Sequence, residues 1–338
     1  MKLYTFLRIP SAFFKYLDIY WTHIAWIEVF ALSEYVLKTI GLTKVYSGKA
    51  ANDGIDITIK RGDIYGLIGN NGAGKTTFMR LVAGLAAPTK GTIELFGRKT
   101  DSEITAMRRR LGCMIETPAP YPDMTALENL EYRRRLLGIP DKKVIDEVLK
   151  TVRLQDTGGK KVKRFSQGMK QRLGIAIALL GNPDFLILDE PVNGLDPTGI
   201  IEIRELLLKL NFDMGITILI SSHILSELSK VVTRYGIING GKLMEQICTQ
   251  ELDERCKKYI NIRVDDVNRA CFVLETVAGA SKYEVHQNGS IRLYGMFENV
   301  GLITAELVKH GISVEEIKIT GRDLEAYFIS LMGGKANV

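Results

Sequence analysis

Cysteine is scarce: four in 338 residues, with no Cys-x-x-Cys pair among them. So few thiols cannot staple a chain of this length, and a reducing compartment with free cysteines is expected. There are only four histidines, none at ligand spacing from a cysteine, so a structural zinc site is not expected. Long apolar runs are missing as well. Stretches such as residues 173–183 fall well short of the roughly 18–20 apolar residues of a spanning helix, and the chain is expected not to cross a membrane. Neither sign of charge dominates, with 45 Lys and Arg against 39 Asp and Glu. With 46% hydrophobic and 25% charged residues, disorder and fibrous repeats are excluded as the main state. The net charge of +6 favours an anionic partner, namely nucleic acid, a membrane surface or a nucleotide. Residues 101–180 hold 16 Lys and Arg against 10 Asp and Glu, so the whole excess sits there.

What is present suggests about two domains. Residues 1–32 contain both tryptophans and Phe13, Phe14, Tyr16, Tyr20 and Phe30, with Lys2, Arg8 and Lys15 between them. They lack the apolar run and small-residue cleavage site of a signal peptide. They are expected to be an extension, disordered or translated from a start assigned too early, with a surface-lying amphipathic helix as the alternative. From residue 35 the pattern is strands. Ile55, Ile57 and Ile59 alternate with polar residues as one half-exposed strand would. Continuous apolar runs at 64–68, 185–188 and 216–220 suit strands covered on both faces, as in an α/β parallel sheet. Gly69, Asp189-Glu190 and Ser221-Ser222-His223 stand at the C-terminal ends of these runs, where ligands bind in such sheets. After residue 250 the periodicities follow the order β-α-β-β-α-β, a ferredoxin-like arrangement with Asn288-Gly289 as a hairpin turn. The boundaries expected are therefore 1–32, 33–250 and 251–338, with a helical region over about 98–180.

Gly69-Asn70-Asn71-Gly72-Ala73-Gly74-Lys75-Thr76 fits the phosphate loop G-x-x-x-x-G-K-[ST]. Its glycines let backbone N–H groups surround a phosphate, Lys75 would reach the β and γ oxygens, and the Thr76 hydroxyl would hold Mg²⁺. Thr77 follows in the first helical turn, whose positive end adds to the field. Asp189 would hold Mg²⁺, and Glu190 would polarise an attacking water.

The sequence resembles the nucleotide-binding subunit of ATP-binding cassette (ABC) transporters over roughly residues 35–245. Phe165-Ser166-Gln167-Gly168-Met169 is similar to the family signature L-S-G-G-Q, keeping its Ser and second Gly and departing at Phe165, Gln167 and Met169. Gly194-Leu195-Asp196-Pro197 resembles the D-loop, and His223 the switch histidine. Tyr46 stands where the family stacks an aromatic on adenine. Glu116 stands where the family has a Gln that touches Mg²⁺ and the attacking water, which brings a charge near the γ-phosphate. The resemblance implies a RecA-like α/β core with an antiparallel β subdomain and a helical subdomain. It also implies ATP and Mg²⁺ as cofactors, with hydrolysis carried by Glu190, His223 and Lys75.

One motif set implies half of an ATP sandwich. A homodimer is the expected assembly, with Ser166, Gln167 and Gly168 meeting the nucleotide of the other subunit. Separate membrane permeases are the expected partners, at the cytoplasmic face of the plasma membrane and without nucleic acid. Details such as Ile115-Glu116-Thr117-Pro118 resemble the branch exporting bacitracin or lantibiotics. The alternative is a soluble ABC ATPase acting on nucleic acid or the ribosome. The basic clusters 108–110 and 133–135 are expected on the face toward a permease and an anionic leaflet, and 160–164 beside the neighbouring nucleotide.

Overall fold

In the Ile64–Ile68 and Phe185–Leu188 strands every residue is buried, as in a strand covered on both faces. A computed structural model describes residues 34–286, 289–321 and 324–332. The aromatic segment 1–32 and Asn288 of the expected turn lie outside these residues. The chain forms two compact units dividing between Leu243 and Met244, against the boundary at 250/251 expected from sequence.

A six-stranded sheet runs in the order Lys242–Cys248, Arg234–Asn239, Ile64–Ile68, Thr217–Ser222, Phe185–Leu188, Leu111–Met114. The last five are mutually parallel. Their C-terminal ends therefore share one edge, which brings Gly69, Asp189, His223 and the residues after Met114 together from distant parts of the sequence. A second, antiparallel sheet is built on Tyr35–Tyr46, which pairs with Lys49–Ile55, Thr58–Lys60 and Lys90–Leu95.

The alternation expected through Ile55, Ile57 and Ile59 is kept, with Asp56 and Lys60 exposed between and beyond them, but it spans two strands rather than one. Ile55 ends one strand and Ile59 lies in the next, and all three side chains are fully buried. Tyr35–Tyr46 takes different partners along its length, and Thr39 bridges the break, its Oγ1 accepting from Ile57 N at 2.9 Å and donating to Ile55 O at 2.9 Å. The three isoleucines join Phe78, Leu81 and Phe185 in one core between the two sheets.

The helical region contains Ala126–Leu136, Lys143–Thr151 and Gln167–Leu179. Thr125 and Glu128 form a reciprocal capping box on the first of these, and Arg133, Arg134 and Arg135 complement its C-terminal dipole. Part of each arginine triplet is engaged inside the fold. Arg134 is buried and grips Glu131 through two bonds of 2.8 and 3.0 Å, and Arg135 adds a third at 2.6 Å. Arg110 pairs with Asp184 at 2.7 Å and lies 4.1 Å over the Phe96 ring, while Arg108 donates to Val82 O at 3.3 Å. Only Arg109, Arg133 and Arg135 of the six are exposed.

In the second unit, Tyr259–Val264, Val267–Thr276, Tyr283–Val285, Ser290–Leu293, Val300–Lys309 and Val314–Thr320 follow as β-α-β-β-α-β. The strand order is Tyr283–Val285, Ser290–Leu293, Tyr259–Val264, Val314–Thr320, antiparallel throughout. Ile260, Ile262, Ile291 and Leu293 pack with Leu274 and Leu307 of the two helices as this unit's own core. Alternation then leaves Tyr259, Asn261, Arg292 and Lys318 on the opposite face of the sheet.

Candidate active site: a phosphate loop facing two acidic residues

The loop between Ile64–Ile68 and the Lys75–Ala83 helix requires glycine for steric reasons. A Cβ on Gly69 would stand 2.3 Å from Ile238 O, and one on Gly74 would stand 2.4 Å from Ala51 O. Gly74 also has φ +107° and Gly72 φ +79°, the left-handed region that side chains resist. Asn52 ties the antiparallel sheet to this loop, its Nδ2 donating to Gly74 O at 3.1 Å. Asn70 and Asn71 are exposed at the loop tip, Ala73 is buried, and Thr76 and Thr77 are half-buried in the first turn.

Lys75 is only 5% exposed. Its ammonium donates to Gly69 O at 2.7 Å and Asn70 O at 3.3 Å and lies 3.4 Å from Glu190 Oε1. The loop thus wraps around a buried cation at a helix N-terminus, an arrangement that attracts anions. At the next residue, Thr76 Oγ1 donates to Asp189 Oδ2 at 2.7 Å.

Asp189 is buried at the end of its strand, and its other oxygen accepts from Ser221 Oγ at 2.6 Å. Ser221 also accepts from the Glu190 backbone N–H at 2.9 Å, so one hydroxyl fixes both acidic residues. Glu190 has φ +47°. A non-glycine residue held in that region is strained by about 1 kcal/mol or more, as is common in active sites. Glu190 Oε2 lies 3.1 Å from both Asn193 Nδ2 and His223 Nδ1, while Oε1 faces Lys75. Farther along, burial holds the Glu227 carboxyl above its ordinary range, with Arg204 and His223 opposing the shift.

Glu116 shares the positive backbone angle, φ +66°, and lines one cleft of about 500 Å³ with Thr76, Asp189 and Glu190. Its carboxylate is ion-paired with Arg80, one helical turn beyond Thr76. Ser166, Gly168 and Asp196 line a separate cleft of about 480 Å³. Gln167 borders both clefts. Ser166 and Asp196 are also helix caps, accepting from Met169 N at 3.3 Å and Gly199 N at 3.1 Å. Phe165 is buried, which accounts for a large apolar residue opening the signature. Tyr46 stands 45% exposed at the end of its strand with the Lys44 ammonium 4.9 Å over its ring.

The family model described as ABC transporter matches residues 52–193. The chain is 46% identical to the bacitracin transport ATP-binding protein BcrA of Bacillus licheniformis, over 88% of this chain and 98% of that protein. The chain belongs to the ABC transporter family. Its reaction is ATP hydrolysis. It is also 41% identical to the lantibiotic transport ATP-binding protein SrtF of Streptococcus pyogenes, over 62% of this chain and 89% of that one. Among solved structures it is similar to the ATP-binding cassette MJ0796, solved as a dimer in a post-hydrolysis state bound to ADP and Pi. That match has a TM-score of 0.58 at 27% identity, over 63% of this chain and 98% of the other.

Three residues that act in the site carried no motif. Ser221 joins Asp189 to Glu190, Asn193 holds the Glu190 carboxylate, and Arg80 holds Glu116. Ser221 was visible only as a polar strand end, whereas the roles of Asn193 and Arg80 depend on backbone turns that no spacing rule describes.

Proposed function

We propose that the cassette drives export of a peptide antibiotic or similar amphiphile through separate permease subunits, as a homodimer on the cytoplasmic face of the plasma membrane. The carrying observation is that Ser166, Gly168 and Asp196 line a cleft that does not include Thr76, Asp189 or Glu190, the two clefts sharing only Gln167 and Gly194. A second copy supplies the missing half to each, with Ser166 and Gly168 of one protomer meeting the γ-phosphate held by the loop of its partner.

The chemistry follows from the side chains already in place. Lys75 is held by two loop carbonyls and Glu190, and it turns to the β and γ oxygens when ATP enters. That exchange releases Glu190 Oε1, which accepts a proton from the attacking water. His223 and Asn193 keep the carboxylate oriented, and His223 then faces the γ-phosphate. Tyr46 stacks on adenine. Thr76 Oγ1 and Asp189 Oδ2, two oxygen donors 2.7 Å apart, suit Mg²⁺, which keeps several of its own waters. When bound, Mg²⁺ neutralises charge on the β and γ oxygens. Glu116 adds a carboxylate to the same cleft once it leaves Arg80.

A third cleft, lined by Leu85, Arg109, Cys113, Arg133, Leu137 and Ile177, supports the permease partnership. Its apolar floor and two exposed guanidiniums suit an amphipathic segment with an acidic end. Among the described residues no helix is long and apolar enough to cross a membrane. The names of the relatives support the substrate class. Deleting the gene should sensitise the cell to a peptide antibiotic such as bacitracin or a lantibiotic. Unchanged sensitivity across such compounds, with ATPase activity intact, would overturn this substrate class.

A further inference from the structure

The second unit carries an open cleft of about 740 Å³, within the range of small-molecule sites. Its described lining includes four cations, Arg255, Lys257, Arg292 and Lys318, against two carboxylates, Glu254 and Glu284. A cleft of this size exceeds the needs of a single inorganic ion; Arg255, Lys257 and Lys318 are held there by ion pairs with Glu245, Glu254 and Glu316, and Arg292 lines it from the sheet.

The cations are gathered on aromatic rings. The Arg292 guanidinium lies 4.6 Å from the Tyr259 ring centre, and the Lys257 ammonium lies 4.5 Å from that of Tyr294. The two rings meet edge to face at 6.2 Å. Tyr294 is held by its hydroxyl, 2.8 Å from Glu284 Oε2. On one wall Tyr327 donates to Glu245 at 2.6 Å and receives Arg255 at 2.9 Å, so this corner is built rather than a loose set of surface chains. Antiparallel pairing sets Glu284 opposite Arg292, Arg292 opposite Asn261, and Asn261 opposite Lys318 in one row across the sheet. Strand geometry therefore fixes the spacing of the two inner cations.

We propose that this cleft binds a nucleoside phosphate, with the base against the Tyr259–Arg292 and Tyr294 surfaces and the phosphates on Lys257, Arg292 and Lys318. Planar bases stack on tyrosine and on guanidinium planes, and phosphates take Arg and Lys as partners. The site lies wholly within the second unit and is separate from the loop around Lys75.

Calorimetric titration of the full-length chain with ADP tests it. Two ADP sites per chain are expected, one lost in Lys75→Ala and the other retained. On that background Arg292→Ala or Lys318→Ala should weaken the remaining site at least tenfold, and Arg292→Lys should weaken it less. Adenosine and inorganic phosphate should each bind it at least tenfold more weakly than ADP. The exposed Lys318 variant guards against loss of folding, checked by an unchanged melting profile. A single ADP site abolished by Lys75→Ala overturns the proposal. So does a residual site indifferent to Arg292 and Lys318, or one that takes adenosine or phosphate as tightly as ADP. Failure of the cassette reading would appear separately, as the absence of any Lys75-dependent site.

Discussion

Replacing Ser221 by Ala should damage both the stability and the chemistry of the cassette. The hydroxyl is fully buried, donates to Asp189 Oδ1 at 2.6 Å and accepts from Glu190 N at 2.9 Å. The first bond involves a buried carboxylate and is worth about 1.5–3 kcal/mol net, and the second about 0.5–1.5 kcal/mol. Alanine leaves both partners buried without it, a loss of about 2–4 kcal/mol. For a unit of roughly 150–250 residues this lowers the melting temperature by roughly 4–16 °C. Turnover should fall as well, because Glu190 loses the anchor that holds its backbone at φ +47°. Ser222→Ala is the control: among the described residues that hydroxyl bonds with Ile224 N and O, at 2.9 and 3.2 Å, and its loss should cost about 1 kcal/mol. Calorimetric scans and steady-state ATPase assays of both variants measure the contrast. A Ser221→Ala protein that melts within a degree of wild type and keeps its turnover would refute the assignment of Ser221 as the common anchor.

Gly74→Ala should abolish nucleotide binding and destabilise the fold, since the new Cβ meets Ala51 O at 2.4 Å. Gly72→Ala, with open space around it, should cost only about 1 kcal/mol of backbone strain; melting curves and ADP titration separate them. Arg80→Ala should lower the Mg²⁺ concentration needed for half-maximal ATPase activity several-fold by releasing Glu116, and Glu116→Gln should remove that difference. Hydrogen bonds from Arg134 and Arg135 lower the Glu131 pKa to about 2. Since this lies below the unfolded value, its contribution is present above about pH 4.5 and lost as pH falls toward 2. The melting-temperature gap between wild type and Glu131→Gln should therefore be widest near neutrality and close over that acid range.

The phosphate loop and the acidic strand end were legible because their chemistry is written in consecutive residues. Gly69, Gly74, Lys75 and Thr76 serve backbone geometry and phosphate charge at once, so few other residues fit. The buried parallel strands were legible for a similar reason, since a strand covered on both faces must be apolar throughout. The isoleucine alternation at 55, 57 and 59 gave the buried and exposed faces but not the interruption, because a two-residue period assumes one continuous strand. Here one strand ends at Ile55 and the next begins at Thr58, while Asp56 and Lys60 stay exposed. The internal pairings of the arginine triplets were not legible because charge in sequence does not reveal partners. Asp184, Glu131 and the Phe96 ring engage Arg110, Arg134 and Arg135. The C-terminal cleft was invisible beforehand because its cations come from strands and a helix end spread over residues 255–318.

The most direct test of the mechanism compares Glu190→Gln with wild type for ATP binding, turnover and assembly. The substitution keeps the shape of the side chain but removes the base, so ATP should still bind, hydrolysis should fall by at least a hundredfold, and ATP should drive a stable dimer on a sizing column. Wild-type turnover would contradict the role of Glu190 as the base, and a variant that binds ATP yet remains a monomer would contradict the joining of two half-sites across a dimer.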